Sequence, residues 1–266
     1  MTALLLVPLI LYAAVLLLVF ALQGRMLFPA GQVGRAAPLP PGGDRFVLDA
    51  PDGTALAGAH IRPALPSAGP RTLVLGFGGN AWNADAAASY LHTLFPEHDV
   101  VVFHYRGYAP SGGGAGAEAL VADAPLVYDQ AVARVRPDRV VAVGFSIGTG
   151  VAASLAPKRP LSSLILVTPF DDLTKVAAGH FPWLPVRFLF RHPMPAAEWL
   201  RAAEVPTAII AAERDTLIPP PRTDALRAAA PNLLYDRTIP GVGHNDIYDS
   251  PAFRAAVRQA MDRLSR

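Results

Sequence analysis

Val140-Val141-Ala142-Val143-Gly144-Phe145-Ser146-Ile147-Gly148-Thr149 is the stretch that decides the fold of this 266-residue chain. An apolar, β-branched run enters Gly-x-Ser-x-Gly, and an Ala-rich helix-like segment, Thr149 to Ala156, leaves it. A serine on a tight turn between strand and helix carries its hydroxyl exposed, as a nucleophile must. Glycines on either side leave space where a side chain would strike the strand or the helix. The first helical turn also presents backbone N–H groups to developing negative charge. Alone, the pentapeptide is a weak sign in a chain with 22 Gly. A glycine-rich turn whose serine merely caps the helix is the alternative.

Partners for a nucleophile lie downstream. The buried-strand run Pro206 to Ala212 leads directly into Glu213-Arg214-Asp215. A later strand, Leu234 to Ile239, leads through Pro240-Gly241-Val242-Gly243 to His244. In that order Ser146 is the nucleophile, His244 takes and returns its proton, and Asp215 holds the imidazole in the useful tautomer. Asp171 and Asp172 also follow a strand, Leu164 to Thr168, and are the rival source of the acid; Asp215 is favoured. His60, His92, His98, His104, His180 and His192 read as strand, helix or cap residues.

A developing oxyanion needs two aimed backbone donors. Ile147, next to the serine, supplies one. The apolar strand Thr72 to Leu75 runs into Gly76-Phe77-Gly78-Gly79-Asn80, where glycines let backbone approach a substrate. Asn80 is the expected second donor and Gly79 the fallback.

These motifs resemble those of the α/β-hydrolase superfamily. Within it, the chain is similar to the membrane-anchored branch of Bem46-like proteins and ABHD13/ABHD17-type hydrolases. The resemblance rests on Gly78-Gly79-Asn80-Ala81-Trp82-Asn83, on His104-Tyr105-Arg106-Gly107-Tyr108 and on Gly144 to Thr149. Thr168-Pro169-Phe170, Phe181 to Val186, Glu213-Arg214-Asp215 with Ile218-Pro219, and Gly243-His244-Asn245-Asp246 extend it along nearly the whole chain. Gly78 and Phe145 stand where the branch usually has histidine, and His104 where it has aspartate. The resemblance implies lipid-linked substrates such as acylated proteins or lysolipids; the three residues point to an acyl-enzyme mechanism, and no cofactor or metal is expected.

Ala3 to Leu22 is a 20-residue stretch without charge, the length one membrane-spanning helix needs. No basic residue precedes it and no small-residue cleavage site follows it, so it reads as an uncleaved anchor over residues 1–24. Arg25 and Arg35 follow the span, a small bias toward a cytoplasmic catalytic domain. Residues 25–43, with Pro38, Pro40 and Pro41, read as a loose lead-in. Arg45 to Leu48 and Leu56 to Ile61, around Pro51-Asp52-Gly53, read as a hairpin. From Thr72 onward strands alternate with helices, which predicts an α/β fold with a mostly parallel sheet covered on both faces. The hydrolase domain is expected over 44–266, with a small helical cap at about 170–204.

Net charge is +2, without a Lys/Arg run, so nucleic acid is not an expected partner. The glycine-rich run Ser111 to Gly116 lacks the Gly-Lys-Ser/Thr of a phosphate loop and reads as a flexible surface loop. Zero cysteines exclude a disulfide framework. The expected activity is hydrolysis of acyl esters or thioesters. A peptidase or amidase with the same three residues is the alternative, and an inactive membrane-bound binding protein of the same fold is the second.

Overall fold

A computed structural model describes residues 2–35, 38–67 and 69–265 of the chain, with side chains from Leu6 onward. Its centre is an eight-stranded sheet. The hairpin β1 (Gly43–Asp49) and β2 (Ala55–Ile61) comes first, followed by β3 (Thr72–Phe77) and β4 (Asp99–Phe103). Then come β5 (Arg139–Phe145), β6 (Ser163–Val167), β7 (Thr207–Ala212) and β8 (Leu233–Ile239). Their order in space is β1-β2-β4-β3-β5-β6-β7-β8, antiparallel at β1–β2 and β2–β4 and parallel elsewhere.

The interior strands β3 to β7 are buried at nearly every position. That is why they read as unbroken apolar runs: helices cover both faces of the sheet. Alternate side chains divide between two cores. Leu73, Leu75 and Ala142 face one core, while Val74, Val141 and Val143 face the other. The first core is closed by α3 (Ala117–Val135), α4 (Ile147–Leu155), α7 (Ala196–Arg201) and α8 (Pro220–Arg227), and the second by α2 (Ala84–Leu94) and α9 (Pro251–Leu264). The sequence of α9 shows why it packs as it does. Proline opens it, and Phe253, Ala256, Val257, Ala260 and Met261 form one buried stripe, the spacing of an amphipathic helix.

The order in which strands are added reverses at the middle of the sheet, at β3. β3 feeds α2 on one face, whereas its neighbour β5 feeds α4 on the other. The loops leaving these two strands therefore part and leave a crevice beyond their carboxyl ends.

Between β6 and β7 lies the helical insertion of α5 (Leu173–His180), α6 (Val186–Leu189) and α7. The N-terminal helix α1 (Thr2–Leu27) is long and apolar enough to cross a membrane, and its base packs on this insertion. Gln23 donates to the Leu189 carbonyl at 3.0 Å and accepts from Arg191 N at 2.8 Å.

Two segments differ from their sequence reading. The stretch after α1 is not loose. Phe28 is 3% exposed in the first core, and its ring packs edge-on 5.1 Å from His192. Asn83, which caps α2 by accepting from Asp85 N and Ala86 N, also donates to the Gly34 carbonyl. Ala36 and Ala37 of this stretch lie outside the described residues. The run 111–116 is likewise tied down. Ser111 Oγ accepts from Ala57 N and donates to the His104 carbonyl, and Gly112 N donates to Ala55 O. Glycine content signals permitted conformations, and here these serve a close approach: a Cβ on Gly107 would collide with Ala115 backbone.

Burial lowers the pKa of His92, His104 and His192; nearby Asp85 opposes the shift at His104 only in part. These imidazoles stay neutral in the fold while the unfolded chain takes up protons below about pH 6.5. The unfolded state then binds more protons, so stability rises with pH through that window and is complete above it. We expect the thermal midpoint to fall as pH drops below about 6.5, and His104→Gln to flatten the fall. Calorimetry across pH checks this, and an unaltered slope would exclude His104.

Candidate active site

Ser146 sits between β5 and α4 with φ 51° and ψ −118°, a left-handed conformation that costs a non-glycine residue of order 1–3 kcal/mol. The turn is pinned by Ser146 N donating to Val167 O and Thr149 N donating to Ser146 O, both at 2.9 Å. Both flanking glycines are required. A Cβ on Gly144 would lie 2.6 Å from the Gly148 carbonyl, and one on Gly148 would lie 2.6 Å from Gly78 O and run into the Phe77 carbonyl.

The Ser146 hydroxyl lies 2.9 Å from His244 Nε2, and His244 Nδ1 lies 2.7 Å from Asp215 Oδ2. An ionised carboxylate only accepts, so Nδ1 is the donor and Nε2 is left to accept the serine proton. Asp215 leaves the end of β7. Its Oδ1 accepts from Leu217 N at 2.9 Å and Ile218 N at 2.7 Å, which turns Oδ2 toward the imidazole. The rest of Glu213-Arg214-Asp215 holds the histidine loop: Glu213 Oε2 accepts from Gly241 N, and Arg214 N donates to Val242 O. Asp215 and His244 are 6% and 7% exposed, which keeps this relay away from water and strengthens it.

The rival acids are engaged elsewhere. Asp171 pairs with Lys175 and Arg222, and Asp172 caps α5 through Thr174 N. Among the other histidines, His60 bonds Asp99, His104 lies 3.5 Å from Asp85, and His180 meets the Leu217 carbonyl.

Ser146 and His244 open into a cavity of about 300 Å³ walled by Gly79, Asn80, Trp82, Leu217 and Tyr248. Ile147 begins α4, where N–H groups lack an intrahelical acceptor. A Cβ on Gly79 would stand 3.8 Å from Ser146 Cβ, so the loop after β3 lies against the serine. That loop bends through Ala81, at φ 58°, and is held by tyrosines. Tyr105 donates to the Gly78 carbonyl at 2.8 Å and Tyr108 to Asn80 Oδ1 at 2.7 Å. Asn80 Nδ2 in turn donates to the Leu27 carbonyl at the base of α1.

Sequence reasoning missed Trp82, Leu217 and Tyr248 as walls and the tyrosines as supports. The signal for the tyrosines was the Tyr105-Arg106-Gly107-Tyr108 motif itself. Arg106 within it is a staple bonded to Asp123, Asp52 and Thr54. Phe145, inside the pentapeptide, packs with Trp82, Tyr90 and Tyr248 at ring distances of 5.2–6.3 Å. Burial pushes the Tyr248 hydroxyl up to about 12, so it stays protonated beside the cavity.

The chain is 33% identical over 256 residues to the uncharacterized protein Rv2307c of Mycobacterium tuberculosis, covering 93% of this chain and 90% of that one. It is 28% identical over 145 residues to the lysophosphatidylserine lipase ABHD12 of Danio rerio, 46% of this chain and 37% of the lipase. Among solved structures, the Pyrococcus furiosus esterase Pf2001 superposes with a TM-score of 0.67 at 16% identity, covering 87% of this chain and 96% of that one. The alpha/beta hydrolase fold family matches residues 73–195, from β3 through the elbow to the end of the second cap helix and beyond. By sheet order, by the placement of its loops and by these relatives, the chain belongs to the α/β-hydrolase superfamily.

Proposed function

We propose that the protein is a membrane-anchored serine hydrolase that cleaves carboxylic acyl esters or thioesters. The hydrogen-bonded chain from Ser146 through His244 to Asp215 is the observation that carries this reading. Ser146 Oγ attacks the acyl carbonyl as its proton passes to His244 Nε2, and Asp215 stabilises the imidazolium. The N–H groups of Ile147 and Asn80, with Gly79 beside them, receive the oxyanion. Collapse of the tetrahedral intermediate breaks the bond to the alcohol or thiol, which leaves with the proton from His244. Water then attacks the acyl-enzyme, gives its proton to His244 and releases the acid, and the proton returns to Ser146. Esterase and lipase among the similar proteins support an ester substrate. The anchor is residues 1–24, the lead-in 25–43 and the hydrolase domain 44–266, with its cap at about 170–204.

The test is hydrolysis of p-nitrophenyl esters of graded chain length by the full chain in detergent, with fluorophosphonate labelling in parallel. Ester cleavage with label on Ser146 is the expected result. No turnover at any length together with no labelling overturns the reading in favour of a binding protein.

Asn80 acts here as a positioning residue as well as a backbone donor. Its side chain joins Tyr108 to Leu27 across the loop that faces the serine. Asn80→Ala keeps the N–H and loosens its aim, and loss of one oxyanion donor costs about 10²–10³ in rate. We therefore expect kcat to fall by about tenfold, part of that loss, with KM little changed. Tyr108→Phe should give a smaller fall of the same kind. A change confined to KM in steady-state assays would refute the positioning role.

A further inference from the structure

The cap and α1 touch at two levels. Tyr12 donates to the Trp183 carbonyl at 2.8 Å, and Gln23 bonds the backbone of Leu189 and Arg191. Eleven residues separate these clasps, about 16 Å of helix. Between them lies a groove of about 300 Å³, walled by Leu16, Val19 and Phe20 of α1 and by Ala177, Leu184 and Val186 of the cap. That is the lower end of the volumes of small-molecule sites. Apart from Gln23, whose amide is spent on backbone partners, the main walls are aliphatic and aromatic.

Three observations identify the occupant. The apolar stretch of α1 runs past both Tyr12 and Phe20, so the cap lies alongside the part of the helix suited to hydrocarbon. The cap exposes Phe181, Trp183 and Phe188 at 42%, 55% and 72%, the first two at the groove itself, and exposed rings of this size are not favoured on a water-facing surface. Cations stand among these rings: Arg187 over Phe188, and Arg191 over Phe20 beside the Gln23 clasp. Arginines there suit anionic lipid headgroups.

Two hydrogen bonds tie the walls of the groove to those of the serine cavity. Leu27 lines the groove, and its carbonyl is held by Asn80, which lines the cavity. Ala177 lines the groove on α5, whose last residue, His180, bonds the carbonyl of the cavity residue Leu217. We infer that the groove between α1 and the cap is the acyl-chain site for a long-chain lipid ester taken from the bilayer. The assignment of the chain's carbonyl to Ser146 rests on the hydrolase reading above. The N-terminal helix is then half of the substrate site as well as an anchor.

The experiment uses full-length Ser146→Ala protein in vesicles of phosphatidylcholine and phosphatidylglycerol doped with a phosphatidylglycerol that carries a diazirine on one acyl chain. After irradiation, cross-links should concentrate on Leu16, Val19 and Phe20 and on the cap. Filling the groove from either wall, with Ala177→Trp or Val19→Trp, should deplete them. Cross-links spread evenly around α1, or unaffected by both fillings, overturn the proposal. In the active protein the same fillings should lower the ratio of long- to short-chain kcat/KM about tenfold, the scale on which a pocket discriminates chain size. An unaltered ratio with ester cleavage intact also overturns it. Cross-linking needs no turnover, so a failed groove and a failed hydrolase reading give different results.

Discussion

Ser146→Ala is expected to lower kcat/KM for a soluble ester by about 10⁴–10⁶-fold, the range seen when a serine nucleophile is removed from a triad. The substitution deletes the atom proposed to form the acyl-enzyme and leaves the His244–Asp215 pair, the cavity and the loop after β3 in place. Fluorophosphonate labelling should vanish with it. The fold should survive, because Ser146 is half-buried and the turn is held by backbone bonds on either side. His244→Ala should cost a comparable factor, and the double variant little more, since residues acting as one unit are not additive. Stopped-flow or steady-state assays on purified full-length protein decide it. Substantial retained turnover in either single variant would remove that residue from the mechanism.

Gly148→Ala has the largest expected effect on the fold. Its new methyl group meets two carbonyl oxygens at the end of β3 and the start of the loop after it, Phe77 O and Gly78 O. Main chain pinned at the end of an interior strand cannot rotate aside as a side chain does. Overpacking costs about 1–3 kcal/mol where neighbours can shift, so the upper end applies here. For a domain of this size about 3 kcal/mol corresponds to a fall of about 6–12 °C in thermal midpoint. The same push drives Gly79 and Asn80 away from Ser146, so activity should fall even at temperatures where the protein stays folded. Gly150→Ala is the control. Its methyl would meet only the ends of Met194 and Phe170 side chains, and its cost should be smaller. Calorimetry of both variants tests the contrast, and equal losses would mean that the two carbonyls yield.

These effects divide between what is readable along the chain and what is not. The elbow is local: a strand, two glycines and a helix lie within about ten residues, and the physical demand on each is met by its neighbours. Asp215 and His244 were legible as candidates because each lies in the short loop that leaves a strand, and strand ends in a parallel sheet converge on one edge. Their order along the chain marks them as candidates, and the fold sets His244 within hydrogen-bond distance of both Asp215 and Ser146. Asp171 has the same local signature. Only its ion pairs with Lys175 and with Arg222, 51 residues away, remove it from the relay.

The sequence by itself determined the alternation that builds the sheet, the serine turn and an apolar N-terminal helix. Each is written in periodicity, glycine placement or length, over spans short enough for backbone chemistry to act. Tertiary structure decided what those elements touch. Phe145 became part of an aromatic cluster, and Ser111 to Gly116 became a loop bonded to β2. Tyr12 came to meet Trp183 across 171 residues, so that a helix read as an anchor forms one wall of a groove. Contacts of that kind depend on where whole layers pack, and packing is set by the summed burial of many side chains, which no local pattern encodes.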